Sequence, residues 1–421
     1  MVFPKIKLVD IVDVKGGKRL PKGEDFENHA TKHPYIRARD IRDGNITFDD
    51  PVYISQKTHS KISRYVTLAG DICITIVGAN VGDVGQVPAF LDGANLTENA
   101  VKLVGKSDDY LAGYLKHALL IDDAQKQMKN FAAGAAQPKL GIYKINEVEV
   151  FYPDFGARKE IDQILSSYNN LIENNNRRIA ILEDMAQSLY REWFVKFRYP
   201  GHENQTLIDS PLGPIPEGWE VKTLKELTSK IGSGATPRGG KDAYKSDGIP
   251  LIRSLNIYDA SFITKDLALI DDQQAAKLKN VIVQPRDVLL NITGASVARC
   301  AMVPKEFTPA RVNQHVAIIR ANIEAVSPEF ILYTLISANG KSRLLNLAQG
   351  GATREAITKT HIEKFSVVVP PQAVFESFNE IVNSVVRKAH VLFVKNENLR
   401  KQRDMLLPKL ISGKIDLTKE Y

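Results

Sequence analysis

The hydrophobic pattern divides this chain into segments typical of strands, of short helices and of long paired helices. Short apolar runs rich in Ile, Val and Thr predict buried strands at Asp71–Val77 and Asp287–Ile292. Helical spacing of apolar residues predicts helices at Asp108–Met128 and Ser327–Leu347. Each strand and helix set belongs to a stretch of about 150 residues, so the fold class predicted for both is mixed α/β.

Two further segments carry apolar residues at the a and d positions of a seven-residue repeat over about five heptads. The first series is Ile161, Leu165, Tyr168, Ile172, Asn175, Ile179, Leu182, Ala186, Leu189 and Trp193. The second series is Phe378, Val382, Val385, Ala389, Leu392, Asn396, Leu399, Arg403, Leu406 and Leu410. These patterns predict two long helices, each about 50 Å long at 1.5 Å per residue, that pair with each other or with another protein. Of these arrangements we expect an antiparallel intramolecular coiled coil.

The two halves of the chain are a duplication, because shifting the sequence by 216 residues aligns them without gaps over a long window. Matching pairs are Pro34 and Pro250, Arg37 and Arg253, Asp50 and Asp266, Gly78 and Gly294, and Val87 and Val303. We predict these boundaries: recognition-type domains at 1–156 and 218–371, long helices at 157–198 and 372–414, a Pro/Gly-rich linker at 199–217, and a tail at 415–421.

Two polar residues interrupt the apolar series. In the antiparallel register that sets Ile161 against Leu410, Asn175 comes opposite Asn396. A buried asparagine pair can satisfy itself by hydrogen bonding and fix the register and direction of two helices. We therefore predict this pair as the register-setting layer; the alternative is that the two asparagines face different partners.

Composition excludes several classes of protein. The 43% hydrophobic fraction indicates a chain that forms cores, no apolar run reaches membrane-spanning length, and Cys73 and Cys300 cannot build a disulfide framework or a zinc site. The Gly-rich segment Gly234–Lys241 departs from a phosphate-binding loop, no strand leads into a dinucleotide-binding glycine motif, and the histidines show no metal-ligand spacing. We thus expect a cytoplasmic protein without catalytic residues or a bound metal, and with no membrane contact.

The positive residues suggest an anionic partner. The chain carries 56 basic and 49 acidic residues, a net charge of +7, and its basic and amide side chains recur on equivalent loops of both halves. Lys and Arg bind phosphates, and Arg, Asn and Gln can read base edges. The predicted DNA-binding residues are Lys18, Arg19, Lys22, Arg37, Arg39, Asn80, Gln137, Lys139, Arg238, Lys241, Arg253, Ser296, Arg299, Thr353 and Arg354. Because paired positions often differ in residue type, the two halves would recognise different sequences.

The sequence resembles the DNA specificity subunit of type I restriction–modification enzymes over essentially its whole length. The resemblance rests on the duplication with its two long helices, and on segments at Ile215–Val221, Gly134–Leu140, Leu182–Phe197 and Leu407–Ile415. The first half departs from the pattern, since Met1-Val2-Phe3-Pro4 replaces the Pro-Glu-Gly-Trp opening of the second.

The resemblance implies two target recognition domains that bind a bipartite, asymmetric site in double-stranded DNA, with the helices setting the gap. It also implies two methyltransferase subunits and two motor-endonuclease subunits as partners. No cofactor would bind to this chain, and S-adenosylmethionine, ATP and magnesium would belong to the partner subunits.

Three other functions remain open from the residues alone. A stand-alone DNA-binding regulator would need no helices reserved for large partners. An enzyme with an unrecognised site would modify or cleave DNA by itself. An interaction scaffold would show no sequence-selective DNA binding, and would leave the duplicated basic loops unexplained.

Overall fold

A computed structural model describes residues 2–134, 138–237, 239–349 and 356–415. The chain forms two compact units: unit 1 comprises Met1–Asn174 and Lys395–Tyr421, and unit 2 comprises Asn175–Val394. Each unit therefore contains one part of the first long helix and one part of the second.

Unit 1 is built on a six-stranded sheet in the order β2-β9-β6-β7-β5-β4, beside the two-stranded pairs β3-β8 and β1-β10. Its strands are β1 (Lys5–Lys7), β2 (Val12–Gly16), β3 (Tyr35–Ile36), β4 (Ile41–Arg42), β5 (Gly44–Ile46), β6 (Ile72–Thr75), β7 (Val84–Gln86), β8 (Asn95–Leu96), β9 (Ala100–Gly105) and β10 (Glu149–Phe151). Its helices are α1 (Leu8–Ile11), α2 (Gln56–Lys61), α3 (Ala112–Leu120), α4 (Asp122–Ala132), α5 (Ile142–Asn146) and the first part of α6 (Phe155–Tyr190).

Unit 2 contains a four-stranded sheet, β14-β24-β21-β22, and a five-stranded sheet, β15-β19-β16-β23-β20. Its strands are β11 (Leu207–Ile208), β12 (Ile215–Pro216), β13 (Glu220–Thr223), β14 (Thr228–Ser233), β15 (Tyr244–Lys245), β16 (Ile249–Ile252), β17 (Ile257–Tyr258), β18 (Ser261–Phe262), β19 (Ala268–Ile270), β20 (Ile282–Val283), β21 (Val288–Asn291), β22 (Cys300–Met302), β23 (Ala310–Val312), β24 (Val316–Ala321) and β25 (Ser366–Val369). Its helices are α7 (Leu224–Leu227), α8 (Asp272–Lys277), α9 (Pro328–Ile336), α10 (Ala338–Gln349), α11 (Lys359–Glu363) and the first part of α12 (Gln372–Ile411), with a π-helical turn at Arg191–Val195 after α6.

The predicted buried strands are confirmed as β6 and β21, which lie inside their sheets with every residue buried. Cys73 in β6 and Cys300 in β22 are both free and fully buried, and burial raises the pKa of each thiol. The two cysteines therefore serve as small apolar core residues.

The short helices differ from the sequence prediction, because each predicted helix is two helices. The backbone is extended at Ile121 between α3 and α4, and at Ser337 between α9 and α10. Asp122 and Asp123 then open α4, where carboxylates are favourable next to free backbone N–H groups. At the second break Gly340 lies against the Thr334 carbonyl, which a Cβ atom would approach to 1.9 Å.

The long helices confirm the predicted antiparallel coiled coil within each unit. In unit 1, Ile161 and Leu165 of α6 share a core cluster with Leu410 and Ile411 of α12. In unit 2, the ring centroids of Trp193 and Phe378 are 6.1 Å apart. In both units the a and d residues complete the core of the α/β domain as well as the helix pair.

Asn175 and Asn396 are both buried, at 9% and 1% relative exposure. The Asn396 side-chain amide donates to the Ile172 carbonyl oxygen at 3.2 Å, one turn before Asn175. This hydrogen bond lies within unit 1 and ties α12 to the backbone of α6. The predicted pairing of Asn175 with Asn396 stays a prediction.

Candidate nucleic-acid interface

In unit 1 several loops meet beyond the last residue of β6. The Gly82 N–H donates to the Thr75 carbonyl at 2.9 Å, which folds residues 78–82 back on the strand, and both terminal glycines have a positive φ, 96° and 91°. The turn leaves the Asn80 side chain exposed. Residue Lys139, also exposed, forms a β-bridge with Val77, so Asn80 and Lys139 lie at the same end of the sheet.

The basic loop after β2 reaches this end of the sheet. The Gly17 N–H donates to the Ala100 carbonyl at 3.0 Å, and Ala100 pairs with Thr75 of β6. A Cβ atom on Gly17 would lie 2.0 Å from the Thr97 carbonyl oxygen, so this approach requires glycine. Lys18 and Arg19 follow directly and are exposed, and Lys22 is exposed further along the loop.

Arg19 is held by a carboxylate of the same unit, since its Nε donates to Glu98 Oε1 at 2.6 Å. Burial alone would raise the pKa of the Glu98 carboxyl, but hydrogen bonds from Arg19, from its own backbone N–H and from Thr97 outweigh burial and hold that pKa below its usual range. Among the described residues no acid forms an ion pair with Lys18, whose Nζ lies 5.8 Å from the centre of the Tyr65 ring. Lys18 is therefore the more available of the two cations.

Arg37 and Arg39 have different surroundings, although the sequence predicts both as DNA-binding. The Arg37 guanidinium donates to both carboxylate oxygens of buried Asp40, at 3.1 and 3.0 Å, and to the Asp50 carbonyl. Arg39 is exposed and forms an ion pair with the Asp50 carboxylate. The geometry gives Arg37 a structural role in holding the 38–40 turn, and its role toward DNA stays a prediction.

Unit 2 repeats the hydrogen bonds that shape the loops of unit 1. The Ala298 N–H donates to the Asn291 carbonyl at 2.9 Å, and Ala298 takes the positive φ, 65°, that Gly82 takes in unit 1. The Asn291 side-chain amide donates to the Ser254 carbonyl at 2.9 Å, as Thr75 Oγ1 donates to the Ala38 carbonyl in unit 1. The duplication read from the sequence therefore extends to the hydrogen bonds that shape the loops.

The side chains on this framework differ from those of unit 1. Arg253 donates to the Asp266 carbonyl and lies 5.1 Å from the Tyr244 ring centre. Ser296 Oγ accepts from the Asn291 amide at 3.2 Å. The Arg299 guanidinium lies 4.4 Å from the Tyr258 ring centre, and Tyr258 is 45% exposed.

Some of the predicted residues cannot be placed. Gln137, Arg238, Thr353 and Arg354 lie outside the described residues, and so does the side chain of Lys241. The sequence analysis also missed two residues that contact the predicted arginines: Asp40, which binds Arg37, and Tyr258, which lies against Arg299. Asp40 and Tyr258 have no motif of their own, and the only signal for Asp40 is its place three residues after Arg37.

The described part of the chain contains no group of three or more His, Cys, Asp and Glu side chains that could hold a metal ion. Within the same residues, no helix is both long and apolar enough to cross a membrane. The loops thus present basic, amide and hydroxyl groups at one end of each sheet, a set suited to binding phosphates and base edges.

The fold and the loops together define a class: a duplicated α/β recognition protein whose two domains pack on an antiparallel pair of long helices. The family model of the type I restriction modification DNA specificity domain matches residues 3–184 and 216–375, one match in each half of the chain. The chain belongs to this family. It is a DNA-sequence recognition component of type I restriction–modification systems, with two specificity domains.

Similar proteins include the type I restriction enzyme MjaIX specificity subunit of Methanocaldococcus jannaschii, 26% identical over 97% of this chain and 92% of that protein. The putative type I restriction enzyme MjaX specificity subunit of the same organism is 24% identical over 97% of this chain and 92% of its own length. A crystal structure of the S subunit of a type I restriction–modification system from M. genitalium matches with a TM-score of 0.56 and 15% identity, over 99% of this chain and 97% of that one. The last likeness confirms the fold.

Proposed function

We propose that this chain is a non-catalytic subunit in which each unit reads one half of a bipartite, asymmetric site in double-stranded DNA. The observation that carries the proposal is one loop framework with different side chains at equivalent positions. Arg39 corresponds to Leu255, Asp83 to Arg299, and Lys139 to Ala356. Equivalent backbone hydrogen bonds position these side chains at corresponding places, but their hydrogen-bonding and apolar groups suit different bases, so the two half-sites differ.

The same proposal assigns the chemistry to partner subunits. Two methyltransferase subunits would bind S-adenosylmethionine and methylate adenine, and two motor-endonuclease subunits would use ATP and magnesium for restriction. The assembly would act in the cytoplasm, where the DNA lies. Support comes from the family membership of the chain and from the name of its relative MjaIX, a type I restriction enzyme specificity subunit.

A map of modified bases in genomic DNA tests this proposal. Cells that express this chain with its partner methyltransferase should carry a gapped, asymmetric adenine-methylated motif. The motif should vanish when only this chain is deleted, and purified chain with DNA, magnesium and methyl donor should neither methylate nor cleave. Methylation that persists without this chain, with the partner shown to be expressed, would contradict the assignment.

A further inference from the structure

One arginine of the candidate interface differs from the others in what surrounds its guanidinium. Arg19, Arg39 and Arg42 each form an ion pair with a carboxylate, to Glu98, Asp50 and Asp49 respectively. Arg37 and Arg253 donate to carbonyl or carboxylate oxygens of their own unit. Among the described residues, Arg299 has no side-chain hydrogen bond and no ion pair, so its donors are available to a ligand.

Arg299 is nevertheless fixed at its backbone. Its carbonyl accepts from the Asn291 N–H at 2.8 Å, and its N–H donates to the Ser296 carbonyl at 3.2 Å. It lies between left-handed Ala298 and the first residue of β22. The loop thereby sets where the side chain leaves the end of the sheet.

The side chain is also held, by a cation–π contact rather than by an ion pair. The Arg299 guanidinium lies 4.4 Å from the Tyr258 ring centre, at cation–π distance. Tyr258 ends β17, and its neighbour Asp259 accepts from the Cys300 N–H at 3.3 Å, which ties the hairpin to β22. An aromatic face restrains a guanidinium and leaves its N–H groups, which lie in the guanidinium plane, unsatisfied.

A restrained guanidinium with free in-plane donors matches one base edge best. Guanine offers two acceptors, O6 and N7, in the major groove, and arginine donates to both at once. From this geometry we infer that Arg299 reads a guanine in the half-site bound by unit 2, and that Tyr258 is its positioning residue. The inference rests on the proposed function and deepens it, because it names the base and the side chain.

The residue of unit 1 that corresponds to Arg299 cannot make the same contact with guanine. Asp83 stands where unit 2 has Arg299, and Arg42 stands where unit 2 has Tyr258. A carboxylate has only acceptors and cannot donate to guanine O6 or N7. The guanine contact therefore belongs to one half of the site and contributes to its asymmetry.

The experiment uses the full chain assembled with its methyltransferase partner. The methylated motif is mapped first, and exchange of residues 218–371 identifies the half read by unit 2. Binding is then measured on duplexes in which each base pair of that half is replaced in turn. For the wild type we expect one G·C pair whose replacement weakens binding by on the order of tenfold or more.

Five variants separate base reading from simple loss of charge. Arg299→Ala and Arg299→Lys should both lose the discrimination at that G·C pair and keep it elsewhere, because lysine retains the charge but lacks the planar fork. Tyr258→Ala should weaken the same discrimination and Tyr258→Phe should restore it, since phenylalanine keeps the stacking face. Lys277→Ala, which removes an exposed cation of α8 in the same unit, should leave every base preference unchanged.

Two results would overturn the inference and leave the proposed function standing. One is an Arg299→Ala assembly that binds every duplex more weakly by the same factor, as a phosphate contact predicts. The other is a unit 2 half-site without a G·C pair that depends on Arg299. A wild-type assembly without any sequence preference would instead contradict the proposed function itself, and this inference with it.

Discussion

Glu183 of α6 shows how one half-buried carboxyl affects the packing of a helix on its domain. It lines a cavity of about 480 Å³ with Tyr333 and Val386, and its carboxylate accepts from the Tyr333 hydroxyl at 3.4 Å. Burial raises the pKa of Glu183 to about 7, and the weak hydrogen bonds from Gln187 and Tyr333 only partly offset this. The folded state therefore holds a proton that the unfolded chain releases near its ordinary carboxyl pKa.

Replacing Glu183 by glutamine should stabilise unit 2 at alkaline pH. Because the folded pKa is raised, the contribution of Glu183 to stability is greatest below about pH 4.5 and is lost as the pH rises toward 7. Glu183→Gln keeps a side chain of the same shape without the charge, so its free energy of unfolding should exceed the wild-type value by about 1–3 kcal/mol at pH 8. Denaturant unfolding at pH 5 and pH 8 measures the difference.

Asp184→Asn is the matched control for Glu183→Gln, because Asp184 is an exposed carboxylate one residue away. It should change the stability little at either pH. A Glu183→Gln protein that is no more stable at pH 8 than the wild type would show that water reaches the carboxyl.

Arg37 and Arg39 give a second prediction at the residue scale. Arg37→Ala would leave the buried Asp40 carboxylate with only a long contact, 4.0 Å, to the Arg39 guanidinium, and should lower the free energy of unfolding by about 3 kcal/mol. Arg39→Ala removes an exposed ion pair with Asp50 and a long contact, 4.0 Å, with Asp40, and should cost less than about 1 kcal/mol. Thermal unfolding of both variants measures the contrast, and equal losses of stability would contradict the structural role given to Arg37.

At the scale of elements, the basic loop of unit 1 depends on how closely its backbone approaches the strand beside it. Gly17→Ala would place a methyl group 2.0 Å from the Thr97 carbonyl oxygen and 2.5 Å from the Leu96 carbonyl oxygen, and these backbone atoms cannot move aside as a flexible side chain could. We expect a loss of about 1–3 kcal/mol in stability, and a displaced loop at Lys18 and Arg19. Circular dichroism melting and binding to DNA test the two effects.

Gly16→Ala is the control for Gly17→Ala, since the nearest atom to its added methyl group would be Ile142 Cδ1 at 4.0 Å. The loop should then keep its position and the protein its stability. In unit 2, Gly234→Ala and Gly232→Ala form the same contrast, with a close approach of 1.7 Å to the Val312 carbonyl for the first and no atom within 4 Å for the second.

At the scale of the whole molecule, each unit has its own sheets, its own core and its own loop framework. We therefore expect each unit to recognise its half-site independently of the other unit. Replacing residues 218–371 by the corresponding domain of another family member should change one half of the methylated motif and leave the other half as it was. A base-modification map of cells carrying the hybrid measures this, and changes in both halves would mean that the two units read DNA jointly.

Much of the fold could be predicted because it depends on local pattern and on repetition. The buried strands β6 and β21, the two α/β domains and the antiparallel helices all follow from apolar spacing and from the 216-residue shift. The breaks at Ile121 and Ser337 could not be predicted this way, since both sides of each break have the same helical periodicity. At the second break, Gly340 lies so close to the Thr334 carbonyl that a Cβ atom would not fit, a contact that periodicity does not show.

The sequence by itself determined the duplication, the heptad helices and the family to which the chain belongs, because these are periodic or ordered along the chain. Only the tertiary structure decided which candidate cations have partners within their own unit. Arg37 is held by Asp40 and Asp50, whereas Arg299 stacks on Tyr258, 41 positions earlier in the sequence. The physical reason is that a guanidinium binds whatever acceptor or ring the fold brings within a few ångströms, and neighbours of that kind come from distant parts of the chain.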